Sequence, residues 1–383
     1  MIIEIRKGNS PTVDSIRKLL AQHGNELETI EGKEVYDTLH VIGDVRAVAN
    51  HLDYIESLPG VTRAWRISSG YKNIARIVSG RDGQAVSRDN RIVEISGPDG
   101  AVRRFGDNRH IFVVGPDSVQ TEEQVFIQAR QVAKLADEYG LRDRVMFRAG
   151  AFKPRTRPTD FRGLGMQGVA LLDRVREETG LPYVSEVMDH TLVEQLAGHL
   201  DCFQIGTRNA QDFKLLETVG QTGKPVILKR GFGNDAEEWF NAAEYIANQN
   251  NLEIILCERG VKTMFAGKGY NRFTPDLNVI RFAQQKTILP VIYDPSHAAG
   301  DDRLVVENIM SALPYGPAGT ITEIIHSEAF RPEQLCDAKQ ALPMDCFRAA
   351  VEAVLKFEEH VAPALARAQE YFLRRNQGQL AQA

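Results

Sequence analysis

Residues 183–231 read YVSEVMDHTLVEQLAGHLDCFQIGTRNAQDFKLLETVGQTGKPVILKRG. Three short apolar runs stand out, at 183–187, 202–206 and 226–228. Residues 192–197, between the first two, follow a helical pattern. A short run, a helix and another short run is how two parallel strands and their crossover look in sequence. The alternation continues on both sides. Upstream are runs at 111–114 and 145–149, with helical stretches at 122–139 and 168–178. Downstream are runs at 254–257, 291–293 and 320–325, with a helical stretch at 236–247. Eight βα units over about 230 residues have the number and length of a (β/α)8 TIM barrel, an α/β fold. An open doubly wound sheet would want a glycine-rich phosphate loop after its first strand. Gly115-Pro116-Asp117-Ser118 is not one.

Residues 1–70 follow another pattern. Strand-like runs at 1–6, 26–30, 35–42 and 61–67 enclose helical patterns at 12–23 and 45–58, with Glu31-Gly32-Lys33 as a turn. The order βαββαβ predicts a ferredoxin-like α+β domain. Nothing in it looks catalytic, so regulation or oligomerisation is its expected task. Residues 71–107 are expected to form a linker and a β-hairpin, with strands 91–96 and 101–105 around Gly97-Pro98-Asp99-Gly100. The barrel then takes 108–375, ending in an outer helix at 347–375.

Composition narrows the function classes. The chain has 383 residues, 43% hydrophobic and 25% charged, ordinary for a folded globular protein. Lys and Arg number 46 against 51 Asp and Glu, so nothing in the overall charge draws it to nucleic acid or an anionic membrane. No apolar run approaches the roughly 18 residues of a membrane span, and residues 1–6 lack the core of a signal peptide. The four cysteines form no CxxC pair, which fits reduced thiols and a cytoplasmic location.

Barrel chemistry lies at the C-terminal ends of the strands. All eight ends carry an ionisable group here. Taken singly, such a residue is ordinarily a solvated loop residue. Together they include seven cations: Arg148, Lys153, Arg155, Arg208, Lys229, Arg230 and Arg259. These would repel one another unless anions bind among them, or unless they pair with acidic residues of the rim. Arg forks onto phosphate and carboxylate, and Lys supplies a mobile point charge. The pattern implies substrates with more than one phosphate or carboxylate. Asp117, His297, Glu323 and Asp337 form a second group, one imidazole and three carboxylates. Barrel closure would bring their strands together as a site for Mn2+, Mg2+ or Fe2+.

Eight ordered segments carry a family resemblance: GPDS at 115, AFKPRT at 151, GLG at 163, SEVMD at 185, QIGTRN at 204, LKRG at 228, LCERG at 256 and DPSHA at 294. The sequence resembles the 3-deoxy-D-arabino-heptulosonate 7-phosphate (DAHP) synthases, in the form with an N-terminal ferredoxin-like domain. The motifs recur partly in the sister 3-deoxy-manno-octulosonate 8-phosphate synthases, but KPRT and DPSH are closer to the DAHP group. The resemblance implies condensation of phosphoenolpyruvate with erythrose 4-phosphate, giving DAHP and phosphate, the first step of the shikimate pathway. It implies that Arg148, Lys153, Arg208, Lys229 and Arg259 hold phosphoenolpyruvate and that Arg155 and Thr156 hold the sugar phosphate. Arg230, Glu258 and Asp294 complete the expected substrate-binding set. Lys153, Glu186 and His297 are the expected catalytic residues, and Asp117, His297, Glu323 and Asp337 the metal ligands. A homotetramer or homodimer is expected, with a small-molecule effector at the N-terminal domain.

The sequence also departs from the family. Asp117 stands where Cys is usual. As a hard oxygen donor it should favour Mn2+ or Mg2+ over thiolate-seeking ions and remove an oxidisable thiol. It also leaves metal-free catalysis open. Ala149 stands in place of Gly, Thr207 in place of Ala, and Arg157 and Asp160 follow KPRT. FAGKGYN at 265, with Lys268, is an unusual loop. These leave open a related phosphoenolpyruvate-dependent sugar-acid synthase acting on another aldehyde in secondary metabolism. Two other classes remain. One is a class I aldolase with Lys229 as Schiff base. The other is a non-catalytic phosphometabolite-binding protein.

Overall fold

The computed structural model describes all residues except 31–34, 44, 46–47, 66–69, 80–84, 155–156, 158, 265–270 and 369–383. The N-terminal domain consists of β1 (Ile2–Arg6), α1 (Ser10–Ala21), β2 (Glu26–Ile30), β3 (Tyr36–Ile42), α2 (Leu52–Ser57) and β4 (Val61–Trp65). Its strands form an antiparallel sheet in the order β2-β3-β1-β4, the expected ferredoxin-like arrangement. Met1, Ile3 and Ile5 alternate onto one face and meet Leu39, Val41 and Ala64 across the sheet. Ile16 and Leu20 of α1 and Leu52 and Ile55 of α2 cover that face. The second helix is shorter than expected because Val48–His51 forms a 3-10 turn. It stops where Leu58 turns extended, as steric conflict with the ring of Pro59 requires. The expected turn at 31–33 lies outside the described residues.

The stretch read as a linker is tied down. β5 (Ile77–Ser79) and β6 (Ala85–Ser87) pair as a hairpin that the polar composition concealed. Residues 72–74 each donate a backbone N–H to the carboxylate of Glu244, which is buried on the barrel. That one side chain replaces the water these amides would otherwise need. β7 (Val93–Ser96) and β8 (Val102–Phe105) form the expected second hairpin.

The barrel follows. Its strands and helices are β9 (Ile111–Gly115), α3 (Glu122–Glu138), β10 (Val145–Arg148), α4 (Met166–Thr179), β11 (Tyr183–Val187), α5 (Val193–Ala197), β12 (Cys202–Ile205) and α6 (Phe213–Gln221). They continue with β13 (Val226–Lys229), α7 (Ala236–Ala247), β14 (Ile254–Glu258), α8 (Leu277–Lys286), β15 (Val291–Tyr293), α9 (Pro295–Ala299), α10 (Val305–Ala312) and β16 (Gly319–Ile325). The eight strands pair in parallel in chain order. β16 closes the ring on β9, from Gly319 beside Ile111 to Glu323 beside Gly115. Thr121 caps α3, and a reciprocal Asp235–Glu238 capping box starts α7.

Strand periodicity sorts the core into two layers. Val113, Met146, Val184, Cys202, Ile227, Cys257, Ile292 and Ile321 point into the barrel. Phe112, Phe147, Tyr183, Phe203, Leu228, Leu256 and Tyr293 point outward under the helices. The β7–β8 hairpin plugs the N-terminal end with Val93, Ile95 and Phe105. β17 (Leu342–Pro343), not expected from the sequence, extends the sheet beside β16. It leads into α11 (Met344–Lys356), whose Phe347, Ala350, Val351 and Val354 join the outer core. Helix is described as far as 368, and the rest of the stretch expected to reach 375 lies outside the described residues. No described helix is long and apolar enough to cross a membrane.

Candidate active site

The same periodicity builds the mouth. Two residues beyond an inward apolar residue, the strand presents a polar one on the same face. Met146 is followed by Arg148, Val184 by Glu186, Cys202 by Gln204 and Ile227 by Lys229. Cys257 is followed in the same way by Arg259, Ile292 by Asp294 and Ile321 by Glu323. Most of these face a cavity of about 210 Å3, together with Asp117, Lys153, Arg208, His297 and Asp337. Gly206 makes room for Glu186, since a Cβ there would lie 1.9 Å from Glu186 Oε1.

Arg230 and Glu258 have the opposite parity, and neither is among the cavity-lining residues. Arg230 Nη1 pairs with Glu258 Oε2 at 3.1 Å and with Asp276 Oδ2 at 2.8 Å. Both were expected to bind substrate; here they lie off the lining and brace the ends of β13 and β14. Asp294 also sits behind the lining. It accepts a hydrogen bond from Lys229 Nζ at 2.6 Å and caps α9 by accepting from the His297 N–H at 2.9 Å. Arg155 and Thr156 lie outside the described residues, as does Lys268. His326 is apart from the mouth, its ring against Phe330.

Arg259 is 2% exposed, and its Nε and Nη1 have no hydrogen-bond partner. Its guanidinium lies 3.8 Å from the Phe273 ring centroid and 5.4 Å from that of Phe232. Burial lowers its pKa to about 10. A buried guanidinium held by aromatic faces at the cavity lining, with two donors unmet, is suited to receive an anion.

Opposite lies an acidic cluster. Asp117, His297, Glu323 and Asp337 each bring one ligand atom within 4.8 Å of the others. Arg148 Nη1 binds Glu323 Oε1 at 2.9 Å, and Lys153 Nζ binds Asp117 Oδ1 at 2.7 Å. Burial pushes the Asp117 carboxyl up, but Lys153 and Arg148 overcome this and hold it at about 2. Glu323 is pushed up by burial despite its cationic neighbours. Burial opposes protonation of His297, yet the carboxylates of Asp294 and Glu323 raise its pKa. Its Nδ1 lies 2.9 Å from Asp294 Oδ2 but outside hydrogen-bond alignment. Asp117 Oδ2, also buried, has no hydrogen-bond partner. Three carboxylates, one imidazole and two unsatisfied buried donor atoms fit a divalent cation.

Four supporting side chains were not expected from the sequence. Gln340 donates to Glu323 Oε2 at 2.7 Å and to Asp337 Oδ2 at 3.3 Å, so it aims two candidate ligands. Arg272 lines the cavity and binds Asp337 Oδ1 at 3.0 Å. Phe232 and Phe273 frame Arg259. The only signals were indirect: Gln340 stands three residues after Asp337, and Phe232 directly follows LKRG.

The DAHP synthetase I family profile matches residues 89–362. The phospho-2-dehydro-3-deoxyheptonate aldolase of Thermotoga maritima is 34% identical over 362 residues, 94% of this chain and 98% of the relative. This chain belongs to the DAHP synthetase I family. The crystal structure of the Thermotoga maritima enzyme superposes with a TM-score of 0.67 at 30% identity, covering 94% of this chain and 97% of the other. A 2-dehydro-3-deoxyphosphooctonate aldolase of Syntrophotalea carbinolica is 30% identical over 268 residues, 66% of this chain and 93% of the relative. The match to the heptonate enzyme thus extends over the N-terminal domain, whereas the octonate match covers a shorter share.

Proposed function

We propose that this enzyme condenses phosphoenolpyruvate with erythrose 4-phosphate to give DAHP and inorganic phosphate. The observation that carries the reading is Arg259, buried beside the cavity with two donors unmet. A protein gains nothing in stability from such a group, so an anion is its natural complement. Arg208, Lys229, Arg148 and Lys153 supply the other contacts to phosphoenolpyruvate, whose three negative charges suit several cations on neighbouring strands.

The enol C3 attacks the aldehyde carbon, water adds at C2, and phosphate leaves with cleavage of its C–O bond. Holding both phosphorylated substrates on fixed strand ends supplies much of the rate. Lys229 is held by Asp294 as an ion-paired ammonium, which suits anion binding better than Schiff-base chemistry. Glu186 and Lys153 are the residues placed to move protons at C2 and at the new hydroxyl. A divalent ion held by Asp117, His297, Glu323 and Asp337 would polarise the aldehyde oxygen, with Mn2+ or Mg2+ preferred by this oxygen-rich set.

The test is phosphate release from phosphoenolpyruvate with erythrose 4-phosphate, in EDTA and with Mn2+, Mg2+ or Zn2+ restored. Loss in EDTA and recovery with Mn2+ is expected. Full activity in EDTA removes the metal from the mechanism. Silence with every metal overturns the assignment of the aldehyde.

A further inference from the structure

We propose that cation and anion binding at this site are coupled by an exchange of partners. A divalent cation on Asp117 and Glu323 releases Lys153 and Arg148 to the anionic substrate. The proposal rests on the functional reading above.

Two cations that face the cavity are already engaged. Lys153 Nζ lies 2.7 Å from Asp117 Oδ1 and 3.3 Å from the Asp117 carbonyl oxygen. Arg148 reaches Glu323 at 2.9 Å and the same Asp117 oxygen at 3.4 Å. All four side chains are buried, so water does not weaken these pairs. Both carboxylates belong to the group of four that fits a divalent ion. A dication and the two side-chain cations therefore compete for the charge of the same two carboxylates.

The charge balance points the same way. Of the described side chains lining the cavity, six are Lys or Arg and four are Asp or Glu. Asp294 and Glu323, paired to Lys229 and Arg148 from behind, bring the carboxylates to six. Leaving His297 aside, the six cations and six carboxylates of the described site balance. An incoming phosphorylated carboxylate then meets cations that are largely matched, apart from Arg259. Two added positive charges on the acidic side free Lys153 and Arg148 to turn to the anion. Such coupling is necessarily reciprocal: whatever the cation does to anion affinity, the anion does to cation affinity.

Calorimetric titration of the full chain with phosphoenolpyruvate, in EDTA and with Mn2+, reads the coupling from one side. Paramagnetic resonance of free Mn2+, with and without phosphoenolpyruvate, reads it from the other. Mn2+ should tighten phosphoenolpyruvate by at least about tenfold, and the reverse factor should agree. Asp117→Asn keeps an oxygen at that position but leaves Lys153 without its counter-charge. In EDTA this variant should bind phosphoenolpyruvate more tightly than wild type, and its Mn2+ effect should shrink severalfold. Equal affinity with and without Mn2+ in wild type overturns the exchange and leaves the proposed reaction standing. So does a folded Asp117→Asn whose phosphoenolpyruvate affinity in EDTA is no better than wild type. Absence of phosphoenolpyruvate binding under every condition overturns the functional reading and the exchange with it. The wild-type titrations need no variant, so a misfolded Asp117→Asn would not rescue a failed proposal.

Discussion

The two ends of the barrel are made by the same eight strands, and each holds a deeply buried arginine that it treats differently. At the N-terminal end the plug is apolar, and Arg103 is its deeply buried cation. Asp99 meets that guanidinium with hydrogen bonds of 2.8 and 2.6 Å, and the Val145 carbonyl accepts from Nε at 2.8 Å. At the C-terminal end Arg259 is buried almost as deeply, yet two of its nitrogens have no partner. Burial is matched where only stability is at stake. At the mouth most buried cations are matched as well, and among the described residues Arg259 is the one left with unmet donors, where a ligand is to be received. Proteins break local rules at functional sites and make up the difference elsewhere, and here that elsewhere is the other end of the same strands.

The largest effect should come from breaking the matched end. Phe105 is fully buried in the plug, packed with the inward strand residues. Phe105→Ala should cost about 3–5 kcal/mol of unfolding free energy. Urea unfolding measures it, and the folded fraction should retain its kcat. A loss of under about 1 kcal/mol would mean that the hairpin does not carry the barrel floor.

Arg259→Leu probes the unmatched end and should separate function from stability. It removes a desolvated charge and leaves an apolar side chain between Phe232 and Phe273. kcat/KM for phosphoenolpyruvate should fall by about 10²–10³, as for loss of a buried charge contact. The unfolding free energy should stay level or rise by about 1 kcal/mol, because no intramolecular hydrogen bond from Nε or Nη1 is lost. A variant that loses stability as well as activity would show that the guanidinium holds the fold together.

The contrast between the ends was partly legible in the sequence. Eight apolar runs at βα spacing announced the barrel, since a buried parallel strand needs a continuous apolar run and nothing more remote. Strand ends such as Lys229 and Arg259 could be placed at the mouth for the same reason. The step of two that separates Ile227 from Lys229 also separates Arg230 from the interior, and that parity was on view. Gln340 and Arg272 were not. They enter the site on loops, and loops carry no periodicity to read. β5 and β6 were hidden because each has three residues and a polar setting, too short for alternation to show. Glu244 fastens residues 72–74 through backbone amides, which have no sequence signature at all.

The smallest expected effect is a difference in acid sensitivity. Burial raises the Asp117 carboxyl, but Lys153 and Arg148 outweigh it and hold it at about 2 in the folded protein. An unfolded aspartate titrates near 3.9. A depressed carboxyl stabilises the fold at pH values above its unfolded pKa, and that contribution disappears as pH falls through the folded value. The window is therefore about pH 4 down to 2, and the amount on the order of 2 kcal/mol. Urea unfolding in EDTA at a series of pH values should show wild type losing more stability across that window than Asp117→Asn. Phe105→Ala should instead lower the whole curve and keep its slope, because the side chain it removes carries no titratable group. Equal slopes for wild type and Asp117→Asn would mean that Lys153 and Arg148 do not hold this carboxylate in the folded protein. The two ends would then differ in shape but not in how they manage charge.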